Sequence, residues 1–371
     1  MAGFLVSIKD NPIDRLAISC IMNKVCFKQF NELLIKPTTR KTMQAIVINR
    51  FGTPDVFESR DLPVPKATPG HVVIKVAATS VNPVDCKIRE GKLAAIAPDF
   101  PAVLHGDVSG VVESVGDGVN EFTIGDEVYA CAGGVKGVAG ALSDYMLADA
   151  KLVALKPSSV QLNEAAALPL VSITAWEALM ERAKVSRGQQ VLIHGATGGV
   201  SHIGIQLAKW AGATVYATCS SEQKADIAKR LGADQCIFYK EMAVQDYVKE
   251  FTDNRGFDVI FDTVGGDNIA KSFQAAALNG TIVSVSSRSQ QDLSPMHAKG
   301  LTLHVVFMLL PLLYNVGRER HGHILRQIAA LVDENILKPL IDEKKFNIAD
   351  IASAHKYLDS GAAIGKVIVT M

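Results

Sequence analysis

The sequence has no surplus of charge of either sign. Its 371 residues carry 38 Lys and Arg against 38 Asp and Glu, a formal net charge of +0. A chain so balanced gives no strong nucleic-acid signal and no bulk attraction to an anionic membrane. Cysteine is sparse and scattered: six residues, at 20, 26, 86, 131, 219 and 236, with no CxxC pair. That spacing supports neither a disulfide framework nor a structural zinc knot, and it suits a reducing cytoplasmic setting. A long apolar run is also missing. The most apolar window, residues 301–316, contains His304 and Pro311 and is short for a membrane span. It reads as a strand followed by a buried helix or an interface.

What is present is enough apolar material, 48% of the chain, for a large core and two domains. The informative stretch is residues 191–207, VLIHGATGGVSHIGIQL. A short apolar run leads into small residues at 195–199. A helical pattern follows, with Val200, Ile203, Leu207 and Ala208 on one side. Glycines let a ligand approach the main chain, and the free N–H groups of a helix start favour a phosphate. A second apolar run at 214–219 and a helical segment at 222–231, with Ser220 and Gln223 spaced as a capping box, complete a βαβ order. That order is the context a dinucleotide fingerprint requires.

Residues 1–42 differ from the rest, with seven basic against three acidic side chains, a surplus of four. Residues 18–30 are weakly helical in pattern. A transit peptide and an upstream start with the functional domain beginning near Met43 are both open readings; Asp10, Asp14 and Glu32 argue against the first. No function is assigned to this extension. Strands are expected at 44–49, 72–77, 108–115 and 127–131, punctuated by Pro63, Pro65, Pro69 and Gly70 and by glycine turns. Many short strands with glycine turns suggest a partly closed antiparallel domain. Helical segments at 165–168 and 174–180 are separated by Pro169. Strands at 235–238, 258–261 and 281–285 alternate with helices at 243–251 and 268–278, the rhythm of a doubly wound parallel sheet. One more strand at 301–307 would give an edge suited to dimerisation. A helix at 324–335, another at 348–358 and a strand at 366–370 returning to the first domain complete the expectation.

These segments together resemble the medium-chain dehydrogenase/reductase superfamily, in its zinc-independent quinone oxidoreductase (zeta-crystallin-like) branch. The matching stretches are NPVDCKIREG (82–91), GDVSGVVESVGDGVNEFTIGDEVY (106–129), AAALPLVSITAWEAL (165–179), VLIHGATGGV (191–200), AKRLGAD (228–234), FDTVGG (261–266) and GKVIV (365–369). The resemblance covers residues 43–371. It implies an α/β fold: a Rossmann-type doubly wound parallel sheet inserted into a GroES-like, partly closed antiparallel β domain. Residues 43–165 plus 341–371 would form the catalytic domain and 166–340 the NADPH-binding domain, with nicotinamide and substrate in the cleft between them. The edge strand expected at 301–307 makes a homodimer the expected assembly.

The resemblance places Asn82 where metal-dependent alcohol dehydrogenases carry a cysteine, Gly106 where they carry a histidine, and no candidate ligand near Leu170. A zinc-free site is the expectation; the rival is an improvised set of Cys86, His105 and Asp107. For the cofactor, the second strand of the βαβ unit ends in Cys219-Ser220-Ser221, followed by Lys224. An NAD-specific site would place a carboxylate there. Hydroxyls and a cation suit a 2′-phosphate instead, and Ser220, Lys224 and Tyr239 match NADP-binding relatives. Lys224 on a solvated helix face is the plainer alternative. The expected cofactor is therefore NADPH, bound by Ala196, Thr197, Gly198, Gly199 and Val200, with Ser220, Lys224 and Tyr239, and with Thr174 beside the nicotinamide as in relatives. Ser201 stands where the family has its last glycine, which raises the question of how closely helix and strand can pack.

Asn82 is the candidate catalytic residue, since its amide can donate to a quinone or carbonyl oxygen. The alternative is an Asn that only stabilises the turn before Pro83. Asp85 and Arg89 are expected to form a structural pair, and His105 to be a hydrogen-bonded structural imidazole rather than a proton donor. The expected reaction is hydride transfer from NADPH to a quinone. Reduction of α,β-unsaturated ketones or aldehydes is the second reading, and a non-catalytic, crystallin-like or RNA-contacting NADPH-binding protein the third.

Overall fold

The computed structural model describes residues 42–371; the helical pattern at 18–30 and the other expectations for residues 1–41 lie outside the described part. β1 (Thr42–Ile48) and β2 (Phe57–Pro63) pair as an antiparallel ribbon. The chain continues through β3 (His71–Val81), α1 (Pro83–Arg89), β4 (Asp107–Val115), β5 (Glu127–Cys131), β6 (Tyr145–Asp149) and β7 (Val153–Leu155). After α2 (Pro169–Trp176) come β8 (Gln190–Ile193), α3 (Gly199–Trp210), β9 (Thr214–Cys219), α4 (Glu222–Arg230) and β10 (Gln235–Phe238). Then follow β11 (Phe257–Asp262), β12 (Ala276–Ser284), β13 (Thr302–Val305) and α5 (Arg318–Asp333). β14 (Phe346–Asn347), α6 (Ile351–Asp359) and β15 (Val367–Thr370) close the chain.

β8 to β13 form one six-stranded sheet in the order β10-β9-β8-β11-β12-β13, every neighbouring pair parallel. Val191, Leu192 and Ile193 of β8 are fully buried, as a central parallel strand covered on both faces requires. The order reverses direction between β8 and β11, the switch point where open α/β sheets bind ligands. The other large sheet has seven strands. Along one edge β3 pairs antiparallel with β4; along the other it pairs with β6 over its first half and with β15 over its second. One strand with three partners bends the sheet partly closed. β15 thus carries the chain back onto β3, from Val367 opposite Val81 to Thr370 opposite Ala78. Among the described residues no helix is long and apolar enough to cross a membrane.

Several local expectations change. β2, β6 and β7 were not anticipated from the sequence. The two helical segments around Pro169 are there with shifted bounds: a short helix spans Leu162–Ala165, and Pro169 itself starts α2, where its missing N–H costs nothing. A π-helical turn, Glu177–Arg182, then extends it. The cap of α4 is Ser221 rather than Ser220: the Ser221 hydroxyl accepts the Lys224 N–H at 3.4 Å, and no Ser220–Gln223 box forms. The helix expected to run to 278 ends at Ala275, and the chain enters β12 at once.

Candidate active site

The turn after β8 is built by backbone geometry. Gly195 has φ +73°, and its N–H donates to the Thr218 hydroxyl at 2.9 Å, while the Ala196 N–H donates to the Thr218 carbonyl at 3.0 Å. The turn is thereby fastened to β9. Gly198 caps α3 in extended conformation, and the first N–H groups of α3 face outward without intrahelical partners. A cavity of about 210 Å³ lies here, lined by Gly195–Gly198, Thr218, Cys219, Ser220, Lys224, Tyr239 and Ala363. The fold therefore brings Ala196, Thr197, Gly198, Ser220, Lys224 and Tyr239 together from three separate stretches. Gly199, Val200 and Thr174 do not line it. Thr174 is buried, and its hydroxyl donates to the Leu170 carbonyl one turn back, at 2.7 Å.

Ser201 is held beneath the start of α3 by hydrogen bonds. It is completely buried; its hydroxyl donates to the His194 carbonyl at 2.8 Å and meets the Thr263 hydroxyl at 2.9 Å. The close approach falls one turn later, where a Cβ on Gly204 would stand 3.0 Å from the Phe261 ring.

Asn82 directly follows β3 and caps α1, buried at the start of that helix. Its Nδ2 donates to Asp107 Oδ2 at 2.8 Å and makes only a long contact, 3.4 Å, with the Ser80 carbonyl. Its Oδ1 accepts from the ammonium of Lys366 in a short hydrogen bond. Asp107 is fully buried and held from several sides: Ser80 Oγ donates at 2.7 Å, the Leu170 N–H at 2.8 Å, and Lys366 Nζ lies 3.4 Å away. Lys366 immediately precedes β15. The Gly365 N–H donates to the Thr197 carbonyl at 2.8 Å, so the lysine is tied to the glycine turn. A Cβ on Gly199 would stand 3.1 Å from its side chain. Asn82 and the phosphate-type turn are thus joined through one residue.

Asp85 and Arg89 do not pair. Asp85 Oδ2 accepts the Asn82 N–H at 2.8 Å, which fixes the start of α1. Burial, with Asp107 nearby, pushes the Asp85 carboxyl up to about 7. Arg89 turns the other way, to the Gly52 carbonyl at 3.2 Å, Asp359 at 3.1 Å and His355 Nδ1 at 3.1 Å. Arginine only donates, so His355 Nδ1 accepts and its Nε2 carries the proton. That proton points at His105 Nε2, 2.8 Å away, which leaves His105 Nδ1 to donate to the Thr79 hydroxyl at 3.2 Å. Both imidazoles are neutral in this chain of bonds. Burial agrees, pushing His105 down to about 3 and His355 well below its ordinary value. His105 is the structural imidazole of the sequence reading. The Cys86 thiol lies 3.3 Å from His355 Nδ1. Among the described residues no group of three or more His, Cys, Asp or Glu side chains is placed to hold a metal ion.

Two family models match the chain: the alcohol dehydrogenase GroES-like domain over residues 68–158 and the zinc-binding dehydrogenase over residues 231–369. The chain is 32% identical over 337 residues to the NADPH-dependent alkenal/one oxidoreductase, chloroplastic, of Arabidopsis thaliana, covering 89% of this chain and 80% of that protein. The chain belongs to the medium-chain dehydrogenase/reductase superfamily, in its quinone oxidoreductase-type branch. The human quinone oxidoreductase is 29% identical over 336 residues, covering 90% of this chain and 99% of its own. Among solved structures, an alcohol dehydrogenase superfamily protein from Novosphingobium aromaticivorans superposes with a TM-score of 0.84 at 37% identity, over 89% of this chain and 99% of that one. The chain is accordingly an enzyme of this oxidoreductase superfamily. The parallel sheet and the GroES-like sheet are the architecture expected of such a member.

Sequence reasoning missed Lys366, Ser80 and His355. The signal for Lys366 was present in the GKVIV stretch: a lone cation between Gly365 and an apolar strand, 2% exposed in the fold. A charge in that setting is almost never buried unpaired.

Proposed function

We propose that this superfamily member transfers hydride from NADPH to a quinone, with Asn82 stabilising the acceptor oxygen. The cradle suits NADPH by its own chemistry. The glycine turn and the start of α3 offer backbone N–H groups to the pyrophosphate. The end of β9 presents Ser220 and Lys224 to a 2′-phosphate and no carboxylate to repel it. The Arabidopsis relative's name points the same way. When bound, NADPH supplies the hydride; the acceptor gains that hydride and a proton from water, giving hydroquinone and NADP⁺. The protein's part is to hold the acceptor beside the turn and to donate to the oxygen on which negative charge gathers. Residues 43–165 with 341–371 would supply the acceptor side of the cleft, and 166–340 the cofactor side.

The observation that carries this reading is the buried Asn82 amide. Its oxygen and one N–H are taken by charged partners, and its second N–H is engaged only by the 3.4 Å contact to Ser80. Reduction of α,β-unsaturated ketones or aldehydes is the second reading, favoured by the alkenal/one name of the Arabidopsis relative. Steady-state NADPH oxidation with phenanthrenequinone and with methyl vinyl ketone separates the two. A kcat/KM at least about tenfold higher for the quinone, a difference of about 1.4 kcal/mol in transition-state binding, is the expected result. The reverse order assigns the enone, and no oxidation with either class removes the oxidoreductase assignment for these acceptors.

A further inference from the structure

Lys366 has no role in the reading above, yet its placement is unusual. A lysine is seldom buried to this extent. The fold sets its stem beside the glycine turn, at Gly199 and next to the Gly365–Thr197 hydrogen bond, and its ammonium on the Asn82–Asp107 pair. Its third contact, the Val81 carbonyl at 3.4 Å, lies on the strand that delivers Asn82.

The consequence falls on the Asn82 amide. The two ends of an amide are nearly interchangeable in shape, so its orientation is set by its partners. Here a cation faces Oδ1 and a carboxylate faces Nδ2. Turning the amide over would set N–H against ammonium and carbonyl against carboxylate, two repulsions in a dry site. Only one orientation remains, the one that leaves the second N–H with no partner but the long contact to the Ser80 carbonyl. An amide whose oxygen is bonded to a cation is also polarised toward its nitrogen, which makes the remaining N–H a stronger donor.

We infer that Lys366 is a positioning residue for hydride transfer: with its stem packed against the glycine turn, its ammonium locks and polarises the Asn82 amide that receives the acceptor oxygen. This rests on the proposed role of Asn82. Lys366 acts through Asn82 and not on the acceptor itself, so its effect disappears when Asn82 is absent.

A double-mutant cycle tests it, with Lys366→Met, Asn82→Ala and the pair, each measured for kcat, acceptor KM, NADPH dissociation constant by fluorescence, and the deuterium isotope effect with labelled NADPH. Each single substitution is expected to lower kcat about 100-fold, the scale of losing one oxyanion donor. The NADPH dissociation constant should change less than about twofold, because the lysine does not line the cofactor cavity. The isotope effect on kcat should rise in Lys366→Met as hydride transfer becomes slower. The double variant should be no slower than Asn82→Ala alone. Losses that multiply in the double variant, or a weakened NADPH complex that accounts for the whole loss, overturn the inference. Should Lys366→Met fail to fold because Asp107 is left unpaired, Lys366→Met/Asp107→Asn removes both charges and enters the same cycle with its thermal midpoint recorded. Recovery of kcat with stability in that variant shows a structural lysine only. A wild-type enzyme that oxidises NADPH with no quinone or enone defeats the function itself, and the inference with it. An active wild type with multiplying losses defeats the inference alone.

Discussion

Lys224, in the first turn of α4, lines the cavity at the glycine turn together with Ser220 and Tyr239. Cys219 ends β9 where a carboxylate would select against a phosphate. A charge-assisted hydrogen bond to a phosphate is worth about 1.5–3 kcal/mol. Lys224→Ala should therefore raise the NADPH KM about tenfold or more and leave the NADH KM within about twofold. Equal changes for both cofactors would show that the lysine only decorates a solvated helix face. The convergence of Ser220, Lys224 and Tyr239 on one cavity was legible in the sequence because the resemblance to NADP-binding relatives points to them and the βαβ rhythm orders the stretches that carry them. Lys366 was not, since it meets Asn82 across 284 residues of chain. Nor was the Arg89–His355 contact, which spans 266 residues and leaves Asp85 to the helix cap. A contact made by chain return leaves no local spacing to read.

At the scale of elements, legibility followed periodicity and burial. β8 to β11 read as strands because they are short apolar runs set between helical patterns, and β10 falls at the expected residues, Gln235–Phe238. β2 was missed because its sequence, FESRDLP, is largely polar and exposed and forms through its pairing with β1. β13 was anticipated within a broader window and lies at the edge of the parallel sheet, pairing only with β12. Its outer flank is apolar in a way a free edge seldom tolerates: Val305 and Phe307 are 51% and 40% exposed, and Leu310, Tyr314 and Val316 follow them on the surface. We propose that a second copy of the chain covers this edge. Light scattering should give a dimer, and Val305→Lys/Phe307→Lys should shift it to monomer at micromolar concentration without loss of secondary structure, since both positions are exposed. A wild-type chain that runs as a monomer, or a double variant that stays dimeric, would place the interface elsewhere.

The whole molecule should be sensitive to acid for a reason distributed over both sheets. Burial pushes four imidazoles down: His105 to about 3, His194 and His202 to about 4, and His355 well below its ordinary value. In the unfolded chain each returns to an ordinary value near 6.5. Between about pH 6.5 and 4 the unfolded state then binds up to four more protons than the fold through these groups, so stability falls as pH falls. Asp85 works against this. Its folded value of about 7 stands above its unfolded value of 3.8, so the fold binds one more proton there, and that contribution is greatest at low pH and lost as pH rises through 7. The net excess of about three protons gives a slope of roughly 4 kcal/mol per pH unit at its steepest, against a typical total stability of about 5–15 kcal/mol. Urea unfolding followed from pH 8 down to pH 5 should show a plateau above neutrality and then a steep decline, with the fold lost between about pH 5 and 4. Proton uptake measured across that transition should approach three per chain. A urea midpoint constant down to pH 5 would mean that the histidines are solvated in the fold, and the neutral Arg89–His355–His105–Thr79 chain of hydrogen bonds would have to be abandoned with it.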